Sequence, residues 1–175
     1  HTVRFVYPSS IAGHGRNASP SHPLAEDEAL TPRTLYGVTK RAMEQAGTWL
    51  SEECGRILGK TPGGTLDFRS IRYPGLLSAE TLPSGGTSDY APEMVHAAVR
   101  GKKGSCFVPR HAQLPFMTMP EAAEATLALA SAPRSCLKQN VYAVGGFAPT
   151  AANLESALRE RFPDFEVEYD IHPIR

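Results

Sequence analysis

The sequence predicts an α/β domain, because stretches with the pattern of strands alternate with stretches with the pattern of helices along the whole chain. Two observations carry this prediction. Short apolar runs end at turn residues, as in VRFVYPSS and LDFRSIRYPG, and the longer runs between them repeat apolar residues at helical spacing. The predicted order is strand, helix, strand, helix, strand, helix, strand, helix, strand.

The first strand, Val3 to Tyr7, is apolar on both faces, which is typical of a central parallel strand with neighbours on each side. A turn-rich loop from Gly13 to Thr31 then leads to a helix that we expect from about Thr34 to Cys54, with Thr34 as its cap. Residues 55–65 form a Gly-rich connection to the second strand, LDFRSIRY, which ends at Pro74-Gly75.

The second half of the chain begins with a long loop, residues 76–88, which is too irregular to predict an element and is of a length more common in functional loops. The elements expected after it are a helix from Tyr90 to Arg100, a strand from Cys106 to Val108, a helix opened by Met119-Pro120 and running to Ala130, the strand NVYAVGG, a helix capped by Thr150 and ending at Arg161, and the strand FEVEYD.

Composition narrows the functional class. Of 175 residues, 41% are hydrophobic, and 18 basic side chains balance 18 acidic ones, so the electrostatic footprint of a nucleic-acid-binding protein is missing. No apolar run reaches the length of a membrane span, and we expect a soluble protein. Three widely spaced cysteines and six scattered histidines predict neither disulfides nor a metal site, which favours a reducing compartment, cytoplasmic or mitochondrial.

The helix that begins near Thr34 carries the chemistry. Tyr36 and Lys40 stand four residues apart, so their side chains share one face of the helix, and a positive charge beside a phenol favours its phenolate form. A phenolate can take the hydroxyl proton of an alcohol while hydride leaves the same carbon. Gly37, between them, costs helix stability, and we expect it to leave room for a flat cofactor ring.

The Tyr and Lys pair is weak as a motif by itself, because a Y-x-x-x-K arises by chance. It gains weight from Ser9-Ser10 at the end of the first strand and from RYPG at the end of the second. Ligands of open α/β sheets bind outside the carboxyl ends of the strands, where both segments are expected to lie.

PSSIAGHG, TPRTLYGVTKRAMEQ and DFRSIRYPGLLS together resemble the extended short-chain dehydrogenase/reductase family, which includes nucleotide-sugar epimerases and dehydratases. GGTSDYAPEMVHAAVRGKK, LPFMTMPEAAEATLAL and FEVEYDIHPIR are similar to its short-chain L-threonine 3-dehydrogenase subfamily. The resemblance implies a Rossmann-like doubly wound parallel sheet, NAD as cofactor, L-threonine as substrate and a homodimer. It places the second half of the NAD-binding domain in residues 1–75 and a small substrate-binding region in residues 76–175, with residues 140–147 returning to the sheet.

The resemblance also implies roles for individual residues. Tyr36 matches the general base, Lys40 the residue that favours the phenolate and holds the nicotinamide ribose, and Ser10 the hydroxyl that hydrogen-bonds the reacting oxygen. The nicotinamide pocket would be lined by Tyr73, Pro74 and Leu76, and the substrate would be held by Gly86, Thr87 and Ser88. Structural readings remain open beside these: Ser10 as a strand-end cap, and Thr87-Ser88 as the N-cap of the following helix.

The chain also departs from the family pattern. The family's glycine-rich phosphate turn and the acidic residue that selects NAD over NADP are expected before His1, and a further segment after Arg175. We therefore expect this chain to be a fragment that does not bind NAD tightly by itself. Two other functions stay open: a nucleotide-sugar 4-epimerase or dehydratase with the same Tyr, Lys and Ser, and a non-catalytic NAD-binding scaffold.

Overall fold

A computed structural model describes residues 2–15, 30–54 and 65–172. In chain order its elements are β1 (Thr2–Ser10), α1 (Leu35–Glu52), β2 (Thr65–Tyr73), β3 (Gly75–Leu77), α2 (Tyr90–Val99), β4 (Gly104–Cys106), β5 (Phe116–Thr118), α3 (Met119–Ser131), β6 (Val141–Ala143), α4 (Ala151–Arg161) and β7 (Val167–Tyr169), with short 3₁₀ helices at Ile11–Gly13 and Arg134–Cys136. The mixed α/β class predicted from the sequence is confirmed.

The chain divides into two compact units. The described residues of His1–Tyr73 and Glu121–Val144 form the first unit, and those of Pro74–Pro120 and Gly145–Arg175 form the second. Within each unit the strands of the sheets pair in parallel.

The first unit is built on a three-stranded sheet in the order β1-β2-β6. The register pairs Ser10 with Tyr73, so the carboxyl ends of β1 and β2 lie level with each other. Among the described residues β1 is an outer strand, and its apolar side chains Val3 and Phe5 are exposed rather than buried as a central strand would have them.

Helix α1 confirms the predicted helix and its cap. Thr34 lies in extended conformation before the first turn, and its hydroxyl accepts a hydrogen bond of 3.0 Å from the backbone N–H of Gly37. Farther along, Gly47 packs directly on the sheet, because a Cβ at that position would lie 2.2 Å from the ring of the buried Phe68. The helix therefore lies closer to β2 than any residue with a side chain at position 47 would allow.

Strand β2 buries charge as well as apolar surface. The guanidinium of Arg69 is fully buried and makes two hydrogen bonds to Asp67, of 3.1 and 2.7 Å, while its remaining nitrogen donates to carbonyls at the end of α3, including Ala132 at 2.7 Å. The hydrogen bonds from Arg69 hold the pKa of Asp67 below its ordinary value. This pair attaches the carboxyl end of α3 to the sheet.

The second unit contains two parallel strand pairs, β3-β5 and β4-β7, together with α2 and α4. Its core is formed by aromatic and apolar side chains from α2 and the strands, with Tyr90 in edge-to-face contact with Phe107 and Phe116. Thr150 caps α4 through a capping box with Asn153, as its position in the sequence predicted.

Two predicted elements are wrong in detail. The strand expected from Cys106 to Val108 is instead Gly104–Cys106, paired with β7, and the loop expected over residues 76–88 begins with a strand, Gly75–Leu77, paired with β5. Three-residue strands show no periodicity of their own, and it is pairing with a distant segment that defines them. The greater part of the predicted 13–31 loop, the 55–65 connection and the P-I-R of residues 173–175 lie outside the described residues.

Candidate active site

The carboxyl end of β1 carries two serines, Ser9 and Ser10, whose hydroxyls bond to different partners. Ser10 ends the strand, and its hydroxyl accepts a hydrogen bond of 3.2 Å from the N–H of Ala12, which caps the 3₁₀ helix Ile11–Gly13. The capping role that the sequence left open is thus present. A hydroxyl that accepts one bond still has a hydrogen to donate, so capping leaves Ser10 able to donate to a ligand oxygen.

Lys40 and Tyr36 meet on α1 as their spacing predicted. The ammonium of Lys40 lies 5.4 Å from the centre of the Tyr36 ring and 5.0 Å from that of Tyr7, and it donates a hydrogen bond of 2.5 Å to the carbonyl of Pro8. The lysine is therefore anchored to the end of β1 while it faces the tyrosine. Tyr36 itself is 55% exposed, so its phenol is accessible from solvent.

The prediction that Gly37 leaves room for a flat cofactor ring is wrong. A Cβ on this residue would lie 2.4 Å from the carbonyl oxygen of Ala12 and 3.0 Å from Pro32. The space beside Gly37 is therefore filled by the protein's own backbone. The glycine brings the turn that follows Ser10 into contact with the turn of α1 that carries Tyr36.

A buried ion pair lies one helical turn beyond Lys40, and no motif in the sequence predicted it. Both oxygens of Glu44 are used: Oε1 accepts from the Ser9 hydroxyl (2.6 Å) and from Nε of Arg72 (2.9 Å), and Oε2 accepts from Nη2 of Arg72 (2.9 Å) and Nη1 of Arg41 (3.2 Å). Burial raises the pKa of Glu44, but the hydrogen bonds from Arg72, Ser9 and Arg41 outweigh it, so the pKa lies below its ordinary value. Glu44 is a carboxylate.

The residues predicted to line a nicotinamide pocket have different surroundings. Tyr73, at the end of β2, makes a short hydrogen bond through its hydroxyl to that of Thr126 on α3, so its phenol is already engaged. Pro74 is buried, and Leu76 is 37% exposed on β3. Tyr73 belongs to the first unit, whereas Pro74 and Leu76 belong to the second.

The predicted substrate loop is organised by a carboxylate of its own. Oδ2 of Asp89 accepts hydrogen bonds from three successive backbone N–H groups, those of Ser84 (3.0 Å), Gly85 (2.8 Å) and Gly86 (2.6 Å). The N–H of Gly86 is therefore occupied within the loop. The N-cap of α2 is Asp89, so the alternative in which Thr87-Ser88 cap that helix is wrong.

The part of the chain that the structure describes contains no cluster of His, Cys, Asp or Glu side chains arranged to hold a metal ion. In the same residues, no helix combines the length and apolarity needed to cross a membrane.

The chain belongs to the NAD dependent epimerase/dehydratase family, whose model matches residues 1–145. It is 33% identical, over all 175 residues, to the mitochondrial L-threonine 3-dehydrogenase of Bos taurus, of which it covers 44%.

Two solved structures of L-threonine dehydrogenases are similar to this chain. The chain is similar to L-threonine dehydrogenase from Phytophthora infestans, with a TM-score of 0.83 and 35% identity over 97% of this chain and 52% of that one. It is also similar to a GalE-like L-threonine dehydrogenase from Cupriavidus necator in its holo form, with a TM-score of 0.81 and 36% identity over 97% of this chain and 52% of that one. The chain thus spans about half the length of the relatives it matches.

Proposed function

We propose that the full-length gene product is an NAD-dependent dehydrogenase that oxidises the 3-hydroxyl of L-threonine to 2-amino-3-ketobutyrate. The observation that carries this proposal is the placement of the Lys40 ammonium over Tyr36, anchored to the Pro8 carbonyl at the end of β1. The similarity to several L-threonine dehydrogenases supports the choice of substrate.

NAD, when bound, supplies the acceptor for the hydride that leaves C3 of the substrate. The protein's own residues handle the proton. Tyr36, as phenolate, takes the proton from the 3-hydroxyl, and the positive charge of Lys40 stabilises that phenolate. Ser10 donates a hydrogen bond to the reacting oxygen and so fixes the hydroxyl for transfer.

The residues present fit a nicotinamide ribose near Tyr36. A lysine ammonium has three N–H donors, and the Pro8 carbonyl takes one of those of Lys40, which leaves donors for ribose hydroxyls. We also propose that Tyr73, Pro74 and Leu76 contribute to cofactor binding, Tyr73 through its ring, since Thr126 engages its hydroxyl.

We propose that the substrate is held at Gly86, Thr87 and Ser88, and that its carboxylate is bound by the side chains of the last two residues, since the N–H of Gly86 is already bonded to Asp89. The hydroxyls of Thr87 and Ser88 can donate to a carboxylate. Asp89 holds the backbone of residues 84–86 in one conformation. This places the hydroxyls of the next two residues, Thr87 and Ser88, for substrate binding. A loop of this small, polar kind suits an amino acid better than a nucleotide sugar.

We also propose that the full-length protein forms a homodimer through α1. The outer face of this helix carries an apolar stripe whose members are 42 to 79% exposed: Leu35, Val38, Met43, Trp49 and Leu50. Exposed apolar side chains gathered on one face of a helix can pack against the same face of an identical helix. Sedimentation equilibrium of the full-length protein, compared with a Met43→Glu variant, measures this association.

Turnover by the full-length protein tests the proposed function. With L-threonine and NAD we expect NADH to form, and we expect Tyr36→Phe to lower kcat by about 10² to 10⁴-fold while the affinity for NAD stays similar. Tyr7→Phe is the matched control, because it removes the hydroxyl of a tyrosine whose ring centre lies just as close to Lys40 and leaves the ring in place. Normal turnover in Tyr36→Phe, or activity on UDP-sugars in place of threonine, would overturn the assignment.

A further inference from the structure

We propose that Glu44 and Arg72 form a positioning pair, which sets the place of Tyr36 and Lys40 along and around the axis of α1. The inference rests on the proposed function for the role of Tyr36 and Lys40, but the geometry that carries it belongs to the first unit alone. Neither Glu44 nor Arg72 is assigned to touch substrate or cofactor.

The pair joins three elements at a single level. Ser9 and Arg72 are register partners on β1 and β2, and both donate to Glu44 on α1. Ser9 immediately precedes Ser10, and Arg72 immediately precedes Tyr73. Any shift of α1 relative to the strand ends would therefore break at least one of these bonds.

The Glu44–Arg72 pair fixes the position and rotation of α1, which close packing alone does not. Gly37 and Gly47 let α1 approach Ala12 and Phe68 closely, which sets the distance between the helix and the sheet. The distance between helix and sheet does not by itself fix where the helix lies along its axis or how it is rotated about that axis. A planar guanidinium that binds both carboxylate oxygens, at 2.9 Å each, fixes direction as well as distance.

The orientation matters because Lys40 is one turn before Glu44 and Tyr36 is two turns before it. The ammonium of Lys40 must reach the Pro8 carbonyl and the Tyr36 ring at the same time. A misplacement of about 1 Å at a reacting group can cost about 10²-fold in rate.

Stability and position can be separated, because a buried ion pair replaced by apolar residues of similar volume often leaves a protein equally stable, whereas removal of one partner alone is strongly destabilising. The informative variant is thus the double replacement Glu44→Leu with Arg72→Met. The matched control is Asp67→Leu with Arg69→Met, which removes another buried bidentate pair from β2, one that makes no bond to α1.

Two measurements on the full-length protein decide the proposal. In the Glu44/Arg72 double variant we expect a folded protein whose kcat for threonine is reduced about 10- to 100-fold with KM little changed. We also expect backbone amides of residues 36–44 to exchange with deuterium about tenfold faster. The control pair should change neither kcat nor that exchange.

Hydrogen exchange needs no substrate, so it keeps this inference separate from the proposed function. A wild-type protein without activity on threonine would refute that function, and exchange in residues 36–44 would still decide the positioning role. A folded double variant with unchanged kcat and unchanged exchange would overturn the positioning proposal and leave the role of Tyr36 intact.

Discussion

Replacing Gly37 with alanine introduces one methyl group where α1 touches the turn after β1. The new Cβ would lie 2.4 Å from the Ala12 carbonyl oxygen, whereas ordinary contact begins at 3.4 Å, so the two turns must separate by about 1 Å. Because the obstacle is backbone, no side-chain rotation relieves it. Overpacking of this kind lowers the free energy of unfolding by about 1 to 3 kcal/mol, and the higher helix propensity of alanine raises it by about 1 kcal/mol.

The net loss in the free energy of unfolding is therefore small, about 0 to 2 kcal/mol, while the displacement falls on the turn that holds Tyr36. We expect kcat for threonine to fall about 10²-fold, far more than the stability change alone would cause. Steady-state kinetics of NADH formation and thermal denaturation of the full-length protein measure the two effects side by side.

Gly47→Ala is the matched control for this prediction. Its Cβ would lie 2.2 Å from the Phe68 ring, a similar clash, but ten residues farther along the helix, about 15 Å from Gly37. We expect a comparable loss of stability and a smaller loss of kcat. A Gly37→Ala protein with normal kcat and a raised melting temperature would show that helix propensity alone governs this position, and the reasoning would fail.

Three further predictions concern the loop and the buried carboxylates. Thr87→Val, which keeps the shape of the side chain and removes its hydroxyl, should raise KM for threonine more than it changes NAD affinity, and equal effects on both would contradict the assignment. Asp89→Ala, which removes the acceptor of three loop N–H groups, should raise KM about tenfold in the same assay, and an unchanged KM would show that the loop orders without it. The pKa values of Glu44 and Asp67 are lowered in the folded state, so these carboxylates stabilise the protein above the pH range in which unfolded carboxyls titrate, and this stabilisation is lost as pH falls. The free energy of unfolding, measured in urea, should therefore drop between about pH 5 and pH 3. A free energy that does not change over this range would refute the prediction.

Sequence patterns predicted those features of the site that depend only on residues within one or two helical turns of each other. The spacing of Tyr36 and Lys40 places them on one helical face whatever surrounds the helix, and the caps at Thr34 and Thr150 depend on residues within one turn. The parallel pairing of β1 with β2 also followed from their alternation with a helix.

Contacts between distant residues could not be predicted in the same way. The sequence indicated that something approaches Gly37 closely, but the neighbour is the carbonyl of Ala12, which only the fold brings there. Arg72 is one of two arginines in LDFRSIRY, a segment whose pattern predicts an apolar strand. Two arginines in a strand covered by a helix were the available signal, since such charges are buried only when paired.

The two buried arginines of β2 each pair with a carboxylate, but only one of these pairs depends on the position of α1. Arg69 pairs with Asp67, two residues away on the same strand, and its remaining nitrogen binds carbonyls at the end of α3. That pair can be satisfied wherever α1 lies. Arg72 pairs with Glu44 on α1, so its charge is neutralised only when the helix occupies one position. Since an unpaired buried charge costs several kcal/mol, the fold selects that position strongly, and it is the position that brings Lys40 to both Pro8 and Tyr36.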